Sequence, residues 1–138
     1  MKYLQTILFF FLLSCQIEAQ TKKDISGHWT LICIDTNECR PEDKPYYGSI
    51  DFQFTKEGKL HGHTSTNKVY GDFQLLENNK MIVSSFGGTK VGEFGFGRNI
   101  WKSMSSVSSY KLESDTLYLY YDNDQKVMTY IPYVGTER

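Results

Sequence analysis

Apolar and polar residues alternate with a period of two along most of the chain from residue 27 to residue 131. This is the pattern of β-strands that have one buried and one solvent-facing side. In the first such stretch, Trp29, Leu31 and Cys33 share one face. The alternating stretches are residues 29–33, 50–54, 60–64, 69–75, 81–84, 107–112, 117–121 and 127–131. The pattern therefore predicts an all-β chain of seven or eight short strands.

Short polar connections rich in Gly, Asn, Asp and Lys separate these stretches, at residues 56–59, 77–80, 113–115 and 122–125. Such residues favour tight turns between antiparallel strands. Strands this short and this regularly spaced favour a small antiparallel barrel or a barrel-like sandwich, because closure of the sheet removes exposed strand edges.

The alternation fades between residues 85 and 106, where five glycines lie between positions 87 and 97. This composition predicts a loop that starts at Ser85, followed by one short helix that carries Ile100, Trp101 and Met104.

The first twenty residues differ from the rest, since Lys2 precedes an apolar run over residues 4–13. We interpret this segment as a secretory signal peptide, which is too short to cross a bilayer. Cleavage after Ala19 would remove residues 1–19, whereas a lipobox-like sequence ending at Cys15 would give cleavage after residue 14 and lipidation of that cysteine. We favour the lipobox. Both alternatives predict an exported protein, either an outer-membrane lipoprotein or a periplasmic or secreted one, with a single β domain over residues 25–135.

The composition of the chain bears on whether it could bind nucleic acid. Aromatic residues make up 15% of the chain and charged residues 22%, with a formal net charge of -1. This balance disfavours nucleic-acid binding, which requires a basic surface.

Cys33 and Cys39 could form a disulfide in an oxidising compartment, or Cys33 could be a buried apolar position.

The chain resembles the META/HslJ-like family of small bacterial envelope proteins in a set of spaced motifs. The first is Gly27-His28-Trp29, a pattern that lipocalin-like barrels also share. The others are Gly62, Thr66-Asn67, Gly71-Asp72-Phe73, Thr89, Glu93, and the strand residues Val107, Tyr110, Leu117 and Leu119. Two family cysteines are missing, since Thr66 replaces one and none occurs near Val91. The resemblance implies a compact β-rich fold in the cell envelope, with no established reaction, cofactor or catalytic residue.

The patterns that would indicate an enzyme or a metal site are incomplete. His61 and His63 would share a strand face, but no third ligand is evident nearby in the sequence. The serines lack the Gly-x-Ser-x-Gly elbow, and the glycine-rich residues 92–97 lack the Lys and Ser or Thr of a phosphate-binding loop. We therefore predict no catalytic residue, no metal, no cofactor and no enzymatic activity.

Two segments are candidate partner-binding surfaces. One is the polar connection over residues 36–48, where prolines and a tyrosine pair could give a stiff contact surface. The other is the glycine-rich stretch over residues 86–98, whose aromatics could serve as binding anchors or fill the core. The candidate contact residues are Arg40, Pro41, Glu42, Tyr46 and Tyr47 in the first segment, and Phe94 and Phe96 in the second.

The leading hypothesis from the sequence is a non-enzymatic, exported protein-binding module. Its most concrete version is an inhibitor of a secreted peptidase, because the predicted size, anchor and composition are similar to those of potempin-type inhibitors. One alternative is a lipocalin-like carrier of a small apolar ligand, although large residues at the predicted inward positions indicate a filled barrel. Another is an envelope stress or structural protein of the META type.

Overall fold

The computed structural model describes residues 23–40, 49–94 and 98–133. Within them the chain is mostly β-strand, with one short helix and a single 3-10 turn at Glu77–Asn79. The elements are β1 (Gly27–Ile34), β2 (Glu38–Cys39), β3 (Asp51–Phe54), β4 (Lys59–His63), β5 (Lys68–Leu75), β6 (Met81–Gly88), α1 (Ile100–Ser105), β7 (Val107–Glu113), β8 (Thr116–Tyr121) and β9 (Lys126–Pro132).

All the strands belong to one antiparallel sheet with the order β6-β5-β4-β3-β1-β9-β8-β7, and β2 pairs with β1 at its side. The two end strands approach each other, and Lys80 forms an isolated bridge with Ser109 just before β6 begins. Helix α1 packs against β6 beyond that bridge. The sheet is therefore a nearly closed barrel with one short helix, which confirms the predicted fold class.

Large side chains fill the interior of this barrel. Phe52, Phe54, Tyr110 and Tyr130 are among the bulkiest fully buried residues, and Phe52 lies within aromatic contact of Tyr130 across the interior. Close packing of this kind contributes roughly 1.5–3 kcal/mol for each large apolar side chain that is removed from water. The rest of the buried apolar core consists of Ile25, Trp29, Leu31, Ile34, Ile50, Leu60, Val69, Phe73, Met81, Ile100, Met104, Val107, Leu117, Leu119, Tyr121 and Met128.

The face assignment of the first strand is correct only up to Leu31. A β-bulge lies between Leu31 and Cys33 in the pairing of β1 with β9. A bulge inserts one residue and so reverses which positions face inward. As a result Ile34 is buried, whereas Cys33 is only partly buried and does not continue the face of Trp29 and Leu31.

The predicted start of the loop at Ser85 is wrong, because β6 continues to Gly88. One of the glycines that suggested a loop, Gly88, lies where two strands approach closely, as Gly62 does in β4. A β-carbon on Gly88 would lie 2.0 Å from the carbonyl oxygen of Lys68, and one on Gly62 would lie 2.0 Å from that of Asp51. Glycine in a strand often marks such an approach of two backbones.

Strand pairing brings several connections to the same end of the barrel. β1 pairs with β3, and from there β4, β5 and β6 follow as neighbours. The C-terminal ends of β1, β4 and β6 therefore lie at the same end as the N-terminal ends of β3 and β5. We call this the loop end, and it carries the β1–β2 hairpin, the turn at residues 64–67 and the segment at residues 89–94. No helix in the described parts of the chain has the length and apolar character needed to cross a bilayer.

Replacement of Gly62 by alanine should destabilise the barrel by about 1–3 kcal/mol, because the new methyl group has no room beside the backbone of β3. Gly87→Ala is the matched control, since nothing lies within 4 Å of its β-carbon position. That control should change stability by less than about 1 kcal/mol. Urea unfolding of both variants checks this, and equal midpoints would contradict the close-approach explanation.

Candidate functional site

The turn that joins β4 to β5 is closed by its own side chains. The backbone N–H of Thr64 donates to the carbonyl of Asn67 at 2.8 Å, and the N–H of Asn67 donates to the hydroxyl of Thr64 at 3.1 Å. Both residues are almost fully buried, with exposed fractions of 3% and 2%. Buried polar side chains need partners, so this turn is a fixed element of the structure.

The side-chain amide of Asn67 forms the hydrogen bonds that a neighbouring strand would otherwise form with the segment after β6. Its Oδ1 accepts from the N–H of Val91 at 2.7 Å, and its Nδ2 donates to the Val91 carbonyl at 2.8 Å. Oδ1 also accepts from the hydroxyl of Thr89 at 2.9 Å. One amide side chain thereby satisfies the backbone of Val91 on both sides, and it continues the pairing where the regular ladder has ended.

The carboxylate of Glu93 is the centre of this network. It accepts hydrogen bonds from the hydroxyls of Thr64 and Ser65. It also accepts from Asn67 Nδ2 at 2.6 Å and from Trp101 Nε1 at 3.0 Å. The hydroxyl of Thr66 lies 3.3 Å from the carboxylate, but its single hydrogen is directed to the closer carbonyl of Gly92, so the carboxylate has four donors. A carboxylate has about four lone-pair sites, so these donors occupy its acceptor capacity.

These donors set the charge state of Glu93. Burial acts to raise the pKa of its carboxyl group, but the hydrogen bonds from Ser65, Thr64, Asn67 and Trp101 outweigh burial and hold the pKa below its usual range. Hydrogen bonds to the ionised form favour ionisation. Glu93 is therefore a carboxylate at neutral pH.

Two further contacts attach the segment to the turn. The hydroxyl of Thr66 donates to the carbonyl of Gly92 at 3.0 Å, and the N–H of Phe94 donates to the hydroxyl of Ser65 at 3.1 Å. With the bonds to Thr89, Val91 and Glu93, residues 89–94 are joined to the turn at 64–67 through the backbone of Val91, Gly92 and Phe94 and the side chains of Thr89 and Glu93. We call these residues the latched segment.

An open cleft of about 650 Å³ lies beside the latched segment. It is lined by Lys90, Val91, Gly92, Glu93, Arg98 and Trp101. The Trp101 ring is held by its bond to Glu93 and by an edge-to-face contact with Phe86, at 5.2 Å between ring centroids. The cleft therefore combines a fixed aromatic ring with two cationic side chains.

A family model of the META domain matches residues 23–132. The chain belongs to the META domain family. The Thr66-Asn67, Thr89 and Glu93 motifs of that resemblance are thus the residues that fasten the latched segment. Thr66, which stands where the family has a cysteine, joins the turn to Gly92 by a hydrogen bond.

Among solved structures, the fold is similar to that of a DUF4847 family protein from Bacteroides vulgatus ATCC 8482, with a TM-score of 0.57 and 13% sequence identity. The alignment covers 80% of this META-domain chain and 95% of the other. At this identity the similarity concerns the fold. A comparison with curated proteins found no significant match.

The predicted aromatic anchors of the glycine-rich stretch divide between core and surface. Phe86 and Trp101 pack against the core, whereas Phe94 is 37% exposed. Val91, beside it on the latched segment, is 61% exposed, and its contribution to the surface is not apparent from the sequence.

The other predicted surface begins at a cross-linked hairpin. Cys33 and Cys39 are opposite each other in β1 and β2, and a disulfide joins them. The N–H of Arg40, which is partly buried, donates to the carbonyl of Ile32 at 2.7 Å. The remaining predicted contacts Pro41, Glu42, Tyr46, Tyr47 and Phe96, and the lipidation residue Cys15, lie outside the described residues.

The histidines lie on the outer wall of the barrel. His61 Nε2 is 3.1 Å from Gln53 Oε1, and His28 Nε2 is 2.6 Å from Asp51 Oδ1. His63 pairs directly opposite Asp51 in the ladder. The described residues contain no group of three or more His, Cys, Asp or Glu side chains that could hold a metal ion.

The change Glu93→Gln should destabilise the fold by about 1–3 kcal/mol at pH 7, because it removes a charged acceptor from several donors. The pKa of Glu93 is lowered in the folded protein, so its contribution is complete above the pKa of the unfolded chain. That contribution is lost as the pH falls through the lower pKa of the folded state. Urea unfolding from pH 7 down to pH 3 should therefore show the gap to the wild type narrowing with acidity.

The exposed carboxylate of Glu57 provides the matched control. Glu57→Gln should leave the unfolding free energy nearly unchanged at both ends of that pH range. A gap between wild type and Glu93→Gln that stays constant with pH would contradict the assigned role of the carboxylate.

Proposed function

We propose that this META-domain protein is an exported, non-enzymatic module that binds another protein through its loop end. The observation that carries the proposal is the latched segment, which exposes Val91 and Phe94 while its backbone is fixed by hydrogen bonds to the turn at 64–67. Export is proposed from the signal-like character of the first twenty residues.

A surface that is already ordered binds with a smaller entropic penalty. Ordering of a loop and its side chains costs free energy on association, so a segment fixed beforehand retains more of its contact energy. Apolar residues at the centre of a contact surface supply most of that energy. Phe94 and Trp101 offer aromatic contact area for this role, and Val91 adds apolar area that is exposed on the same short segment as Phe94.

The filled interior supports protein binding over the carriage of an apolar ligand. A small barrel can hold a ligand only where its inward side chains leave space. Here Phe52, Phe54 and Tyr130 occupy the interior and are essentially without solvent exposure. The META domain family is also not a known enzyme family, which supports a non-catalytic role.

Inhibition of a secreted peptidase is the most concrete form of this proposal. The connection between Arg40 and Ser49 starts and ends at the loop end, next to the disulfide of the β1–β2 hairpin. The latched segment also lies at the loop end. We therefore propose that a partner peptidase contacts both segments.

The test measures inhibition of purified secreted peptidases of the serine, cysteine and metallopeptidase classes by the purified protein. If one is inhibited, Val91→Asp and Phe94→Asp should each weaken inhibition by about tenfold or more, because each places a charge in the apolar contact. The matched control is Ile82→Asp. Ile82 is 46% exposed and lies near the start of β6, at the opposite end of the barrel.

Inhibition of no peptidase would reject the peptidase form of the proposal. Full inhibition by the Val91 and Phe94 variants would show that the partner contacts another surface. Equal urea midpoints for all three aspartate variants would confirm that differences in inhibition arise from binding and not from unfolding.

A further inference from the structure

We propose that the cleft beside the latched segment takes a peptide segment of the partner in which a carboxylate adjoins a large apolar side chain. This rests on the proposed function and specifies the chemistry that the loop end recognises. The inference comes from the charges, the acceptor capacity and the apolar floor of the cleft.

The two cations of the cleft have no acidic partner among the described residues. Neither Lys90 nor Arg98 takes part in the ion pairs found there, which join His28–Asp51, Lys56–Asp24, Lys59–Asp72, Lys111–Glu113 and Lys126–Asp122. Both side chains are exposed and line the cleft. Exposed cations without partners are available to an incoming anion, and Arg can hold a carboxylate with two parallel hydrogen bonds.

The carboxylate of Glu93 offsets one of these two positive charges and leaves the lining of the cleft with one net positive charge, while its acceptor sites are already occupied. Glu93 already accepts from Thr64, Ser65, Asn67 and Trp101. A Lys or Arg side chain of a partner would have to displace one of these donors and leave it unsatisfied, which costs about 1–3 kcal/mol. The geometry therefore favours an acidic ligand over a basic one.

The floor of the cleft is apolar and fixed. Trp101 is anchored by Glu93 and Phe86, and Val91 presents its side chain beside it. An aromatic ring that is already held in place provides contact area at low entropic cost. A ligand with only a negative charge would leave this floor uncovered, and a ligand with only an apolar group would leave the two cations unused.

A peptide fits this cleft better than an anionic membrane surface does. Recognition of acidic lipids typically uses four to eight clustered Lys and Arg residues, whereas the cleft has two cations and the chain has a net charge of -1. The two sources of a carboxylate in a peptide are an acidic side chain and a free C-terminus, and both present the same chemistry.

The experiment titrates four N-acetylated hexapeptides of Gly and Ser, differing in their last residues, into the uniformly ¹⁵N-labelled protein. One ends in Asp-Phe with an amidated C-terminus, and one ends in Gly-Phe with a free C-terminal carboxylate. Two amidated controls end in Asn-Phe and in Lys-Phe. Vesicles of phosphatidylglycerol form a fifth arm, which tests for a membrane surface.

Binding in the cleft should shift the indole N–H signal of Trp101 and the amide signal of Val91. The indole of Trp29 donates to the carbonyl of Ile25 at 2.9 Å, in the region where the chain enters β1 at the opposite end of the barrel, and its signal should stay in place. At least one carboxylate peptide should bind about threefold to fivefold more tightly than the Asn-Phe peptide, and added salt should reduce the difference.

Lys90→Gln and Arg98→Gln should each remove most of that preference while the barrel remains folded. Lys56→Gln is the matched control, because it makes the same charge change in an exposed turn at the other end of the barrel. Equal binding of all four peptides, preference for the Lys-Phe peptide, or shifts at Trp101 only with vesicles would each overturn the inference.

Failure of this inference can be distinguished from failure of the proposed function. Equal binding of the acidic and neutral apolar peptides at Trp101 and Val91 would refute the charge preference and leave the latched segment as a protein-binding surface. The failure of Val91→Asp and Phe94→Asp to affect the natural complex would refute the proposed surface, whatever the peptides do.

Discussion

The hydrogen-bond network between Asn67 and Glu93 fixes the loop end of this protein. Residues 89–94 follow the last regular pairing of β6, and without partners their backbone groups would rely on water. Asn67 supplies both a donor and an acceptor to Val91, and Glu93 joins the same turn to the helix through Trp101. Buried networks of this kind are valuable when every member is satisfied and costly when one is not. The position of the cleft, the exposure of Val91 and the start of α1 all depend on it.

The contact surface at the loop end is also packed directly against the core of the barrel. Trp101 contacts Phe86, and Phe86 contacts the core residue Phe52. On the other side of α1, the hydroxyl of Tyr130 contacts the sulfur of Met104 at 3.3 Å. The helix therefore packs on β6 and joins Trp101, the floor of the cleft, to the packed interior. A contact surface mounted on the core in this way has little freedom to rearrange.

Much of the fold can be predicted from the alternation of apolar and polar residues with a period of two, whereas the candidate site cannot. Alternation identified eight of the nine described strands and the inward positions of Phe52 and Phe54, because a half-buried strand must separate its two faces. It failed at the bulge after Leu31, which inserts one residue without a recognisable sequence signal, and at Gly87 and Gly88, where a strand has the composition of a loop.

Asn67 and Glu93 are 26 residues apart, so only the pairing of β5 with β6 brings them together. The family resemblance marked both residues, yet motif spacing alone could not show that one binds the other. Lys90 and Arg98 belong to no pattern in the sequence.

The attachment of the β1–β2 hairpin has a further implication for how such a domain can diversify. Arg40 is bonded to Ile32, and Ile50 accepts from the N–H of Leu31, so the chain leaves and rejoins the barrel at neighbouring residues of one strand. A connection of any length could therefore begin and end at the same two points of the barrel. Each doubling of the length of a flexible connection costs only about 0.6 kcal/mol in closure entropy, so a longer connection between these points would add little to the cost of folding. Related chains could thus acquire different partners at this position while keeping the same barrel.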